Sequence, residues 1–573
     1  MSPSRIAPES NSDGNRILTT ASYDYIIIGA GSAGCVMAGR LSEDPEVSVL
    51  LVEAGGWDAD PLIHVPLGWG RIIQKHLYDW GYNIEPEQEL NNRSIECARG
   101  RVVGGSSSIN AMAYVRGNRA DYDRWASYGL DGWSYADLLP YFKKHESWAD
   151  GEDEFRGGDG PVQVRRSGFS DPLIGACLDA VAQAGLPRTD DYNGAQQEGA
   201  SILQHTIGSG RRYSTSVAYC RPALGRPNLT VLTKALARKI EFEGRRAVGL
   251  TYAHNGRSHR VNATREVILC GGVINSPQLL QLSGVGPRDE LDRQGIPMVA
   301  DVPGVGRNLQ DHLWAGVKFR RKTTGPTVKQ LRWDRLLASF AEGYLLRTGF
   351  CTDVPSGWTA FLKTRPELEA PDIQILFLAT TTLAPYFPGQ AQTVDGFEFR
   401  VVMLRPKSRG KVSLASTDPA APARINQNFL SDSDDWRSLR DGLRLMRRIA
   451  AQPALADFAA EEISPGADMT TDAQLDAYIR ATALTAHHPC GTCKMGAASD
   501  EEAVVDTALK VRGIDGLRVI DASVMPDLVG GNINAAVLAI AEKGADLIKA
   551  DRAKSSRSDH GNAAAEEALA AAC

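Results

Sequence analysis

Tyr25-Ile26-Ile27-Ile28 is an unbroken apolar run, the pattern of a short strand buried on both faces. The next apolar positions, Ala33, Val36, Met37 and Leu41, recur at helical spacing and predict a helix. A second apolar strand follows over 47–52 and ends in an acidic residue, Glu53. Between the first strand and the helix stands Gly29-Ala30-Gly31-Ser32-Ala33-Gly34. A GxGxxG spacing alone says little, but a strand before it, a helix after it and an acid 24 residues on complete a dinucleotide-binding unit. Gly29 permits the tight turn, Gly31 lets backbone approach a pyrophosphate, and Gly34 lets helix and strand pack closely. Glu53 stands where an acid can bond a ribose hydroxyl. The motif leaves NAD and FAD both open.

The pattern continues far down the chain. Glu266 to Cys270 reads as a buried strand ended by Gly271-Gly272, and Ser276-Pro277 has the form of an N-cap with proline at the first helical position. Ser283 to Gly286 closes that helix. Residues 101–110, Arg-Val-Val-Gly-Gly-Ser-Ser-Ser-Ile-Asn, form a glycine-serine turn with backbone donors suited to a phosphate or a ring edge. From 314 to 485 the period changes. Phe397, Phe399, Val401 and Met403 alternate, Val412 and Leu414 alternate, and 373–377 is a further strand, which together predict an antiparallel sheet. Near the end come a strand over 517–520, Asp521-Ala522-Ser523, Gly531-Asn532-Ile533-Asn534 and an apolar helix over 535–548.

These elements predict an α/β chain, α+β overall. A Rossmann-like nucleotide domain comprises 23–165, 203–313 and 486–550. An inserted substrate domain of 166–202 and 314–485 is built on an antiparallel sheet flanked by helices. Residues 1–22 and 551–573 read as flexible ends.

A chain of 573 residues can bury a large core in two or more domains. The net charge of −6, without a basic block, gives nucleic-acid binding no support. The absence of a long apolar run predicts no transmembrane segment, and the polar start lacks a signal-peptide core. Nine scattered cysteines suit a reducing compartment, so the expected location is cytoplasmic.

The chemistry gathers in His487-His488-Pro489-Cys490-Gly491-Thr492-Cys493-Lys494-Met495-Gly496. A histidine titrates near working pH, so His488 is a candidate base. Cys490 and Cys493 form a CxxC, which can be a redox dithiol or half a metal site. No second ligand pair stands at zinc spacing, so no metal is expected.

Taken in order, the GAGSAG turn with Glu53, the RVVGGSSSIN block, the 272–286 block, HPCGTCKMG and RVIDASVMP…GNIN resemble the glucose-methanol-choline (GMC) oxidoreductases, in particular the choline-dehydrogenase-like branch. The resemblance covers about residues 23–550. It implies FAD as cofactor, with Gly29, Gly31, Ser32, Ala33, Gly34, Glu53, Ala54, Arg101, Gly104, Gly105, Ser106, Asn110, Ala237, Asp521, Ala522 and Asn534 around it. It implies His488 and Asn534 as the catalytic pair. Ile109 occupies the place of the linking histidine in covalently flavinylated members, which implies non-covalent FAD. Val273 and Ala536 also depart from the family pattern, the latter replacing a proline.

The expected activity is oxidation of an alcohol, a primary one foremost, to an aldehyde, as an FAD-dependent alcohol dehydrogenase or oxidase. His488 would take the proton, flavin N5 the hydride, and oxygen or a quinone- or dye-like acceptor the electrons. An FAD-dependent lyase or decarboxylase on the same fold, and a thiol-disulfide flavoprotein using Cys490 and Cys493, are the alternatives.

Overall fold

The computed structural model describes residues 21–572 except 384, 386, 388 and 390–393, with side chains beyond 554 outside the description. The expectation for the extreme N-terminus therefore lies outside the described residues up to position 20. In chain order the principal elements are β1 (Ser22–Ile28), α1 (Ser32–Leu41), β2 (Val49–Val52), β3 (Gly199–Ile202), β4 (Leu229–Leu232), β5 (Ala235–Glu243), β6 (Arg246–His254) and β7 (Arg257–Leu269). Then follow α2 (Gly272–Leu282), β8 (Leu313–Arg321), α3 (Trp333–Leu345), β9 (Trp358–Leu362), β10 (Ile373–Leu378) and β11 (Gly396–Met403). The last are α4 (Ser433–Ala450), β12 (Ala459–Ser464), β13 (Leu484–Thr485), β14 (Leu517–Val519) and α5 (Asn534–Ala572).

The first sheet runs β5-β6-β7-β1-β2-β4, with β14 beside β7. Its centre is parallel: β1 lies between β7 and β2, and β2 pairs with β4. Ile26, Ile27, Val49 and Leu51 are wholly buried there, as strands covered on both faces require. β7 pairs antiparallel with β6 over its first half and parallel with β1 over its second. The second sheet, β12-β8-β11-β10-β9-β3, is antiparallel throughout. α4 covers it with Leu439, Leu443, Met446 and Ile449, and a Cβ at Gly442 would come within 2.4 Å of Val401, so only glycine allows this approach.

Two expectations need correction. α2 starts at Gly272, and Pro277 lies inside it rather than at its first turn. Proline removes the N–H that would reach the carbonyl of Val273. That carbonyl instead accepts the Thr492 hydroxyl at 2.6 Å, which explains how the helix tolerates the proline. At the other end, α5 continues to Ala572, past the break read at 551. The run of alanine and glutamate from 563 on is compatible with helix, and the polar composition alone suggested a tail.

Candidate active site

A cavity of about 830 Å³ is lined by the C-terminal ends of β1, β2 and β7 and by residues of the second sheet. The crevice beyond the carboxyl ends of parallel strands is where α/β sheets bind ligands. Gly29, Gly31, Ser32, Ala33, Glu53, Ala54, Gly105, Ser106, Asn110, Ala237, Asp521, Ala522 and Asn534 all line it. Gly34, Arg101 and Gly104 do not line the cavity. Gly34 packs on the Gly29 carbonyl, where a Cβ would sit at 1.8 Å. The Arg101 guanidinium lies 4.7 Å over the Trp80 ring. Gly104, at φ +90°, donates its N–H to the Ala30 carbonyl and so holds the glycine-serine turn against the first one.

The residues present fit a dinucleotide. α1 begins at Ser32, and its N-cap residue, Gly31, has no side chain to cap it, leaving the N-terminal amides for an anion. A Cβ at Gly31 would meet nothing closer than 3.9 Å, so that backbone stands open toward the cavity. Glu53 accepts the N–H groups of Ala30 at 2.8 Å and Gly55 at 2.7 Å. Burial nevertheless raises its pKa to about 7. Asp521 is more an organiser than a ligand. Its carboxylate accepts from Gly272 N–H, the Ser276 hydroxyl, and both donors of Ser523, tying α2 to the turn after β14.

His488 is nearly buried, at 8% exposure, and lines the same cavity. Its Nε2 is 2.9 Å from the Asn532 amide nitrogen, and its Nδ1 is 3.0 Å from His312 Nδ1. Asn532 in turn accepts from Gln374 of β10 through its Oδ1, at 3.2 Å. Asn534, expected at this place, sits elsewhere: its amide donates to the Ser32 hydroxyl at 2.9 Å, at the start of α1. The partner of His488 is Asn532, and the pairing with Asn534 is corrected. In an extended segment the two asparagines would share a face, but α5 begins at Asn534 and turns its side chain away.

Hydrogen bonding assigns the tautomer of His488. His312 Nε2 lies 3.1 Å from the Leu404 carbonyl, which can only accept. A neutral His312 that donates there must accept at Nδ1. His488 therefore carries its proton on Nδ1, and its Nε2 lone pair faces Asn532 and the cavity. Both rings are neutral: burial holds His312 down to about 3, while burial, then His312, Arg99 and His487, hold His488 well below the ordinary value. The backbone at this point is anchored as well, because His488 N–H donates to Asp311 at 2.9 Å and Asp311 accepts the Thr485 hydroxyl at 2.5 Å. His487, at φ +62°, lines the cavity and passes its carbonyl to Arg99 at 2.7 Å.

Asp311, His312 and Asn532 are absent from the residues singled out in the sequence. The only signal for the first two was three consecutive polar residues, Gln310-Asp311-His312, entering a strand that buries them all. Cys490 and Cys493 are fully buried, and burial raises both thiols well above the ordinary range, opposite to what a reactive thiolate needs.

The GMC oxidoreductase family profile matches residues 23–314 with its N-terminal part and 406–541 with its C-terminal part. The chain belongs to the GMC oxidoreductase family. It is an FAD-dependent oxidoreductase acting on CH–OH donors. It is 46% identical over 532 residues to an oxygen-dependent choline dehydrogenase of Paraburkholderia xenovorans (strain LB400), covering 92% of this chain and 94% of that one. The corresponding protein of Burkholderia thailandensis is 46% identical over 537 residues, 93% and 94% of the two chains. Among solved structures, pyridoxine 4-oxidase from Mesorbium loti is similar at TM-score 0.82 and 34% identity, covering 91% of this chain and 98% of that one. A formate oxidase variant of Aspergillus oryzae RIB40, made to study FAD modification, is similar at TM-score 0.84 and 28% identity, covering 93% and 99%. These relatives support alcohol oxidation and give the lyase, decarboxylase and thiol-disulfide alternatives no support. Among the described residues no helix is long and apolar enough to cross a membrane, and no cluster of three potential metal ligands occurs.

Proposed function

We propose that the chain oxidises a primary alcohol to an aldehyde, with His488 as the base and Asn532 as the hydrogen-bond donor to the alcohol oxygen. The observation that carries this reading is the Nδ1-protonated His488, whose unprotonated Nε2 pairs with the Asn532 amide at the cavity wall. FAD, when bound, supplies the hydride acceptor, and oxygen or a quinone- or dye-like compound takes the electrons on. Nε2 receives the hydroxyl proton. In taking that proton the single Nε2 lone pair gives up the N–H of Asn532, and the amide hydrogen so released is available to the developing alkoxide. His312 holds the imidazole at Nδ1, and Asp311 holds the backbone that carries it. The second sheet, with segments 166–202 and 314–485, forms the substrate side, where Trp314 and Leu376 line the cavity.

The preference for a primary carbinol rests on its being the least obstructed carbon for a single base and a fixed acceptor to reach. Anaerobic bleaching of the flavin across matched primary and secondary alcohols tests it. Bleaching by primary alcohols is expected; bleaching by secondary alcohols alone would reverse the preference, and bleaching by none would remove the activity.

FAD is held without a covalent bond. Ile109 lines the cavity with an aliphatic side chain that offers no nucleophile. Acid precipitation should leave the yellow colour in the supernatant, and flavin retained in the pellet would show a link through another residue.

A further inference from the structure

Helix α3 is amphipathic in an unusual sense. Its inner side chains, Leu336, Phe340 and Tyr344, pack on a small core with Val65, Leu67, Phe350 and Leu383. Its outer face carries Trp333, Leu337 and Leu345, with Leu346 just beyond, at 40, 65, 73 and 70% exposure. Ala341 is exposed as well, so positions 333, 337, 341 and 345 make one stripe at four-residue spacing. Phe387, 49% exposed, stacks on Trp333 with centroids 6.1 Å apart and extends the patch. An outer helix face normally meets water with polar side chains, and a contiguous apolar patch on a folded chain marks an interaction surface.

The charges beside the stripe identify the partner. Lys329, Arg332 and Arg335 are exposed at its start and Arg347 at its end, against Asp334 and Glu342. Arg332 pairs with Asp334. The region is thus net basic on a chain whose net charge is −6. A two-fold copy of the chain with its helix parallel would set the basic start of the stripe, Lys329, Arg332 and Arg335, against itself.

We propose that α3 and Phe387 dock on a lipid bilayer containing anionic headgroups. The apolar stripe, about 18 Å long at 1.5 Å per residue, lies along the boundary between headgroups and acyl chains. Lys329, Arg335 and Arg347 meet the headgroups. The helix lies on the membrane and does not cross it. Leu383, which shares the core under α3, also lines the 830 Å³ cavity. Docking therefore leaves only the thickness of α3 between the lipid and the core that carries that cavity wall.

Flotation of the full-length holoprotein with vesicles tests the proposal, using phosphatidylcholine alone and phosphatidylcholine mixed with phosphatidylglycerol. The protein should float with the mixed vesicles, less with the neutral ones, and less again at high salt. Leu337→Ser with Leu345→Ser should weaken binding by about tenfold or more while FAD content and thermal midpoint stay unchanged. Arg335→Gln with Arg347→Gln should remove the preference for anionic lipid. Failure of the wild type to float with either vesicle overturns the proposal. So does undiminished flotation of the double serine variant, or a dimer in light scattering that this variant dissolves, which would assign the stripe to a second copy of the chain.

Discussion

Replacing His488 by Ala should leave FAD bound and slow its reduction by alcohol by ~10²–10⁴-fold, the contribution of a positioned base. The measurement is anaerobic rapid mixing of the oxidised enzyme with a primary alcohol, followed by flavin absorbance. FAD should remain because none of the contacts of His488 reaches the Gly29–Gly34 turn or Glu53; they go to Asn532, His312 and Asp311. The wild-type rate should also have a distinctive pH profile. A histidine whose folded pKa lies well below 6.5 stays neutral as pH falls through 6.5. The acid limb of flavin reduction should therefore appear below that of a free imidazole, not at it. The same depression has a stability sign. The unfolded chain binds a proton on His488 and on His312 near pH 6.5 and the folded chain does not, so their contribution is intact above that pH and is lost as pH falls toward the folded values. A reduction rate unchanged in the alanine variant would remove His488 from the mechanism.

Much of this arrangement was legible in the chain, for reasons that differ by element. The β1–α1–β2 unit was readable because three local signals agree: apolar strand, glycine turn and helical period. The antiparallel sheet was readable from alternation, as in Phe397, Phe399 and Val401 of β11, all wholly buried. Its pairing with β3, more than 150 residues from β9 in sequence, left no trace, because strand partnership is a tertiary property. The start of α2 was misread for a physical reason. Pro277 is a helix-start signal only when its missing N–H is the sole cost, and here Thr492, in a distant block, satisfies the carbonyl it leaves. His312 was invisible because its role depends on a backbone carbonyl, that of Leu404, which no side-chain pattern encodes.

Asn532 and Asn534 make the sharpest discrimination, because they stand two residues apart and the structure gives them different work. Asn532→Ala should slow flavin reduction by ~10²–10³-fold, the usual cost of removing a donor aimed at developing negative charge. It also leaves the Gln374 amide and His488 Nε2 without their common partner, so the imidazole loses one of its constraints. Asn534→Ala removes a different bond, the one to the Ser32 hydroxyl at the N-terminus of α1. That helix end faces the cavity with uncapped amides, so the expected loss is in FAD retention and not in the rate of reduction of enzyme that holds FAD. Rapid mixing gives the first quantity, and flavin fluorescence released on dilution gives the second. The two variants should separate along these axes. If Asn534→Ala slowed reduction while keeping FAD, and Asn532→Ala did not, the alcohol oxygen would have to lie on the Ser32 side of the cavity and His488 would be too far from it to serve as the base.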